Sequence, residues 1–200
     1  MKIAPIIYLI GMLLCILSLF MMVPAFVDWF YGNDDWPAFV GSSFITLFVG
    51  AVCFLSNRGI VTEHLELRQA FLLTNSAWIS IALFGSLPFM FSQIDMSFTD
   101  AIFESTSGIT TTGATVINNL DSTSHGILIW RALLQWLGGV GIIVMALAVL
   151  PMLSIGGMQL FKTESYETPD KVVPKAASFA AGISLVYLSL TSIWAMMLWL

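Results

Sequence analysis

The 200 residues are 58% hydrophobic and 10% charged, against about 25% charged in an ordinary soluble domain, which excludes a soluble globular protein and points to an integral membrane one. The formal net charge of −5 argues against nucleic acid as a partner, since that is met by clustered Lys and Arg. Cys15 and Cys53 both fall in apolar runs and read as small buried hydrophobes, because a metal site needs more ligands than two.

The first apolar run spans residues 3–27, with Pro5 near its start and Pro24 near its end. It is longer than the apolar region of a secretory signal peptide, and Met21-Met22-Val23-Pro24 makes a poor cleavage site, so a retained transmembrane helix is predicted. Asp28 to Trp36 reads as a short acidic loop, flanked by Trp29, Tyr31 and Trp36 at the height where aromatics meet headgroups. Pro37 suits a helix start, and a second span follows to about Leu55. After a polar connection from Ser56 to Gln69 comes a third span, from about Ala70 to Phe91. Its Asn75, Ser76, Ser80 and Ser86 suggest a face turned toward other helices. A fourth span begins near His125 and ends near Leu150, a polar loop runs from Pro151 to Lys175, and a fifth apolar run reaches Leu200. An end inside an apolar run fits a piece of a longer chain.

Orientation follows from Lys and Arg in the short connections. Lys2, then Arg58 and Arg68, then Lys162, Lys171 and Lys175 fall on one side of the predicted spans. The other side holds Asp28, Asp34, Asp35, Asp95, Asp100, Glu104 and Asp121. The N-terminus is therefore expected inside, and the segment from Ser92 to Ser124 is entered from outside.

That segment contains Ser105-Thr106-Ser107-Gly108-Ile109-Thr110-Thr111-Thr112-Gly113-Ala114-Thr115, too polar for lipid and too poor in charge for an ordinary hydrophilic loop. Irregular backbone at membrane depth survives only where protein buries it or water reaches it. Ser97-Phe98-Thr99-Asp100 has the form of a helix start, and Gly108 is a natural stop. Ten to twelve helical residues cover roughly 15–18 Å, about half of a hydrocarbon core of about 30 Å. A half-helix over 97–108 would point the negative end of its dipole at the membrane centre, where it favours a cation. The return over Thr110–Thr115 is expected to be extended and to offer a ladder of backbone carbonyls in place of an ion's hydration shell. Gly113 supplies the dihedrals that turn a carbonyl inward. A Thr/Gly loop lying on the outer face is the alternative.

Other residues leave two readings open. Ser107 and His125 could be a nucleophile and base, but no third orienting group is evident. Arg131, inside the fourth span, either snorkels or pairs with an acid such as Glu104, or else sets pore electrostatics. Gly138-Gly139-Val140-Gly141 allows close helix packing or a gating point. Pro151 and Gly156-Gly157 would bend the chain near the inner face.

The order of span, half-helix, Thr-Gly filter and span resembles the TrkH/KtrB potassium-uptake family. Glu104 to Ala114 looks like that family's first pore loop, and Trp130-Arg131-Ala132-Leu133-Leu134-Gln135-Trp136-Leu137-Gly138-Gly139-Val140-Gly141-Ile142-Ile143-Val144 like the helix after it. The resemblance covers essentially the whole chain and is strongest to the bacterial TrkH branch. It implies an all-α integral membrane fold: two N-terminal transmembrane helices, then helix–pore loop–helix repeats of the potassium-channel type around one pore. Residues 1–69 would hold the two extra helices and a cytoplasmic loop, 70–175 the first repeat, and 176–200 the opening helix of the second. One pore loop of the four required would be present.

The resemblance further implies a pore-forming subunit for potassium uptake, not an enzyme, in the bacterial inner membrane. Thr111, Thr112 and Gly113 become the backbone-carbonyl contacts to K+, with Thr110 and Ala114 beside them. Against the Thr-Val-Gly-Tyr-Gly filter of potassium channels, Thr115 stands where a second glycine would be, which bears on selection over sodium. Serine in place of the filter glycine goes with sodium transport in related plant transporters, so Gly113 favours potassium. The family also implies a homodimer and a cytoplasmic nucleotide-binding regulatory subunit of the TrkA type, near which Leu160–Lys175 could lie. Channel and proton-coupled symport both remain open, because no intramembrane carboxylate relay is evident. A structural subunit whose polar loop only caps a helix bundle is the competing function.

Overall fold

The computed structural model describes residues 3–58, 67–149 and 172–199. Its described elements are helices: α1 (Ala4–Tyr31), α2 (Trp36–Ser56), α3 (Leu67–Gly85), α4 (Leu87–Phe91), α5 (Phe98–Ile109), a 3-10 turn (Leu120–Ser122), α6 (His125–Val149) and α7 (Val172–Trp199). Four stretches, Ala4–Tyr31, Trp36–Ser56, Arg68–Phe91 and His125–Ile143, are long and apolar enough to cross a membrane. The chain falls into two units, Met1–Gly139 and Val140–Leu200. The second contains α7 and the end of α6. The bends expected at Pro151 and Gly156-Gly157, and most of the inner loops, lie outside the described residues.

Within the first unit, α1 runs four residues beyond its expected end. Pro24 lies inside the helix without ending it, and Asp28–Tyr31, expected as loop, is helical. The helix stops at Gly32, whose φ of 72° is the left-handed conformation glycine adopts at little cost. α1 and α2 cross closely at glycines: a Cβ on Gly11 would lie 2.6 Å from the Phe54 backbone nitrogen, and one on Gly50 would lie 2.9 Å from that of Cys15. Without a hydrophobic drive between helices in lipid, such backbone approach supplies the packing. Ser43 Oγ adds a hydrogen bond across the pair to the Ser18 carbonyl, at 2.8 Å. Cys15 and Cys53 are free and half-buried. Gly11→Ala is expected to destabilise the protein by about 1–3 kcal/mol, because the atoms it meets are backbone and cannot rotate away. Thermal melting in detergent measures this, and an unshifted transition would show that the crossing is loose.

The third span is two helices. Pro88 has no N–H for the carbonyl four residues back and its ring crowds it, so α3 ends at Gly85 and α4 restarts at Leu87. The broken end is satisfied from a distance, since the Trp130 indole N–H donates to the Gly85 carbonyl at 2.9 Å. Trp130 is the largest fully buried side chain and meets Phe39 edge to face. Around it, Leu14, Leu17, Met21, Phe89, Ile127 and Leu134 complete the core. Of the polar residues expected on the inward face of this span, Ser86 is buried, while Asn75 is exposed and donates to its own helix at the Phe71 carbonyl.

The segment between α4 and α6 begins against the start of α2 and ends against the last turn of α1. Gln93 N–H donates to Asp35 Oδ1 at 2.9 Å, and Gly126 N–H to Asp28 Oδ1 at 2.6 Å. Asn33 Nδ2 donates to Asp28 Oδ1 at 2.8 Å and lies 3.3 Å from His125 Nδ1. The chain therefore enters and leaves on one side, as a re-entrant loop must. Three acids expected as outer-face charges have a different role: Asp28, Asp35 and Glu104 are buried. Asp28 caps the positive N-terminus of α6, although no local pattern around it points to that partner.

Candidate functional site

The segment singled out as a candidate pore loop is built on α5, twelve residues and about 18 Å long. Ser97 caps it, its Oγ accepting the Asp100 N–H at 3.2 Å and donating to Asp100 Oδ2 at 2.7 Å. Gly108 does not end the helix, which continues to Ile109. The glycine instead makes room for α6, since a Cβ there would lie 3.0 Å from Leu134 Cβ. Gly138 on α6 is tighter still, a Cβ falling 1.9 Å from the Ile109 carbonyl oxygen. Of the two readings of the glycine run, close packing is what the structure has at Gly138.

From Thr110 onward the backbone turns back on the helix end. The N–H of Thr110 reaches the Thr106 carbonyl and that of Thr111 the Gly108 carbonyl, each at 2.9 Å. Those of Thr112 and Gly113 share the Ser107 carbonyl at 3.0 and 3.4 Å. These bonds satisfy the orphan carbonyls of the helix terminus. They also orient the opposite edge of each peptide, because in a planar trans peptide the C=O of one residue points away from the N–H of the next. The carbonyls of Thr110, Thr111 and Thr112 are thereby directed away from the helix, and among the described residues no hydrogen bond ends on them. Ala114 differs: its carbonyl accepts Ser107 Oγ at 2.6 Å.

The dihedrals fit this turning. Thr111 has φ 59° and Gly113 φ 79°, with Thr112 between them. Sign reversal at alternate residues keeps successive carbonyls on one side, where a plain extended strand would alternate them. Thr110–Gly113 are therefore turned back on the helix end, where the sequence predicts an extended return. Positive φ is cheap for Gly113 but costs a β-branched Thr111 about 1–3 kcal/mol, strain of the kind that gathers at functional sites. Thr110 Oγ1 donates to the Thr106 carbonyl at 2.8 Å and lies 2.9 Å from Thr112 Oγ1. All of Thr110–Val116 is exposed.

Behind the outgoing segment, Ala114–Ile117, lies Glu104, buried and fully bonded. Its Oε2 accepts Val116 N–H at 3.0 Å and Thr115 Oγ1 at 3.1 Å, and its Oε1 pairs with Arg131 Nε. Arg131 is thus paired rather than snorkelling. The sequence offers Glu104 as an outer-face acid and as a partner for Arg131, and does not foretell its hold on Thr115 and Val116. The available signal was its spacing three residues before Ser107, which places both on one helical face. Ser107 and His125 have separate partners: Ser107 binds Ala114, whereas His125 stacks on Tyr31 with ring centroids 4.4 Å apart.

Comparison with known proteins places this geometry. Residues 36–200 match the family model described as TrkH, cation transport protein. The chain is 43% identical over 203 residues to the Trk system potassium uptake protein TrkH of Vibrio parahaemolyticus, covering 100% of this chain and 42% of the relative. It is 39% identical over 193 residues to TrkI of Halomonas elongata, covering 96% and 39%, and 40% identical over 194 residues to TrkH of Escherichia coli, covering 96% and 40%. The crystal structure of the potassium transporter TrkH from Vibrio parahaemolyticus superposes with a TM-score of 0.84 at 39% identity, covering 100% of this chain and 40% of that one. The chain thus spans about two fifths of the length of the relatives it matches.

Proposed function

This chain belongs to the TrkH family of cation transport proteins, and from that premise we propose that it carries one strand of a potassium-selective filter in a pore-forming uptake subunit. The observation that carries the reading is the set of peptide planes at Thr110–Thr112, whose N–H edges are tied to α5 and whose oxygens face the other way. Oxygens held so, without reorganisation, can replace the hydration shell of a bare cation. Thr111 and Thr112 are the foremost contacts, and Gly113 allows the turn beside them. Thr110 has the same orientation, while Ala114 already spends one lone pair on Ser107. Potassium is the ion because the relatives are named for its uptake and the filter position is glycine.

The remaining assignments follow the same family reading. Residues 1–69 form the extra helices, 70–175 the first helix–pore loop–helix repeat, and 176–200 the start of the next. The subunit is a homodimer in the bacterial inner membrane, with its N-terminus cytoplasmic and a nucleotide-binding partner of the TrkA type below it. Lys2, Arg58, Arg68, Lys162, Lys171 and Lys175 on one side support that orientation. Rubidium uptake into proteoliposomes of the full-length protein tests the function: unlabelled potassium is expected to compete fully and an equal concentration of sodium weakly. Equal competition by both ions would sink potassium selectivity, and absence of uptake would sink the transport reading.

A further inference from the structure

Resting on the filter reading above, we propose that Glu104 is a positioning residue that sets the height of the filter's outgoing strand, held in its orientation by Arg131, and that this pair governs cation discrimination. The strand is referenced to one face of α5. Ser107 takes Thr112 and Gly113 on its carbonyl and Ala114 on its hydroxyl. One helical turn earlier, Glu104 takes Thr115 and Val116 on a single carboxylate oxygen. Thr115 Oγ1 relays the register one step further by accepting the Ile117 N–H at 3.1 Å.

An acid that served only to link α5 to α6 would need one oxygen for Arg131. Here the second oxygen reaches twelve residues along the chain to a backbone N–H. The side chain of Glu104 is 0% exposed and that of Arg131 15%. A buried ion pair adds little net stability over well-packed apolar side chains, so its contribution here is geometric. Guanidinium and strand together leave the carboxylate one orientation. A strand free to shift against α5 would alter the spacing and field of the carbonyls at Thr110–Thr112, and selection between similar cations depends on those quantities.

The test measures sodium competition against rubidium uptake, with melting temperature recorded beside it, in the full-length protein. Glu104→Asp keeps the charge but withdraws the carboxylate from Val116 by one methylene. Arg131→Gln leaves the carboxylate unheld. Each is expected to lower discrimination by about tenfold, equivalent to about 1.4 kcal/mol. Exchanging the two charges, Glu104→Arg with Arg131→Glu, restores an ion pair but puts a donor where Val116 N–H needs an acceptor. It is expected to recover melting temperature and not discrimination. Recovery of both would reduce the pair to a helix link and overturn the proposal. If the exchange does not fold, the single variants decide: discrimination within about twofold of the parent in both overturns it, given the scale of a lost charged hydrogen bond. Gly113→Ser is run alongside. If that variant leaves discrimination unchanged, the filter assignment fails and the proposal goes with it; if it lowers discrimination while the Glu104 and Arg131 variants do not, the positioning role alone fails.

Discussion

Gly113→Ala is expected to lower rubidium flux and its selectivity over sodium by roughly 5–30-fold, with little change in melting temperature. Space is not the reason, since the nearest atom to an added Cβ is Gln135 Nε2 at 3.7 Å, an ordinary contact. The effect is torsional. At φ 79° an L-residue pays about 1–2 kcal/mol that glycine does not, which converts to a factor of roughly 5–30 between the native conformation and a relaxed one. The relaxed backbone rotates the peptides on either side of residue 113. That breaks the Gly113 N–H bond to the Ser107 carbonyl and turns the Thr112 oxygen from its direction. Gly113→Asn separates torsion from size, because asparagine tolerates the left-handed region better than alanine despite its bulk. It is expected to retain more selective flux than alanine. The reverse order would mean that crowding, and not φ, makes glycine necessary here.

The membrane class, the order of spans and the half-helix are legible because each follows from a local pattern. Apolar length marks α1, α2 and α6, and Ser97 with Asp100 marks the start of α5. What could not be read locally depends on partners far along the chain. Asp28 belongs to a helix end and not to a loop, because it caps α6 ninety-eight residues away. Gly108 reads as a stop in isolation, yet its lack of a side chain accommodates Leu134. Thr111 is the clearest case. A β-branched residue disfavours positive φ, so nothing in its identity foretells φ 59°; its own N–H bond to the Gly108 carbonyl, and those of Thr112 and Gly113 to the Ser107 carbonyl, hold it there. The site was therefore legible as a composition of hydroxyls and glycine. Its working geometry comes from the helix it folds back upon and from the Glu104–Arg131 pair behind it.

The contact between α6 and the end of α5 carries the largest expected structural effect. Gly138→Ala puts a Cβ 1.9 Å from the Ile109 carbonyl oxygen, 2.8 Å from its carbonyl carbon and 3.3 Å from its Cα. All three are backbone atoms, so no rotamer change relieves the clash. One helix must move by on the order of 1 Å to reach an ordinary carbon–oxygen separation. Overpacking of this kind costs about 1–3 kcal/mol and sometimes more. The displacement also falls where it matters most, because Ile109 is the last helical residue before Thr110, and the same stretch of α6 holds Leu134 against Gly108 and Arg131 against Glu104. The variant is therefore expected to lose both melting temperature and selective uptake, rubidium flux falling by more than about tenfold as the carbonyl positions shift. A flexible gating point at Gly138 makes the opposite forecast: alanine would stiffen the helix, leave the melting temperature unchanged or raise it by reducing the freedom of the unfolded chain, and change only the opening of the pore. Thermal melting and rubidium uptake on the same preparation distinguish the two. Unchanged or raised stability with altered flux would assign Gly138 to gating, and a joint fall assigns it to the close approach on which Thr110–Gly113 are mounted.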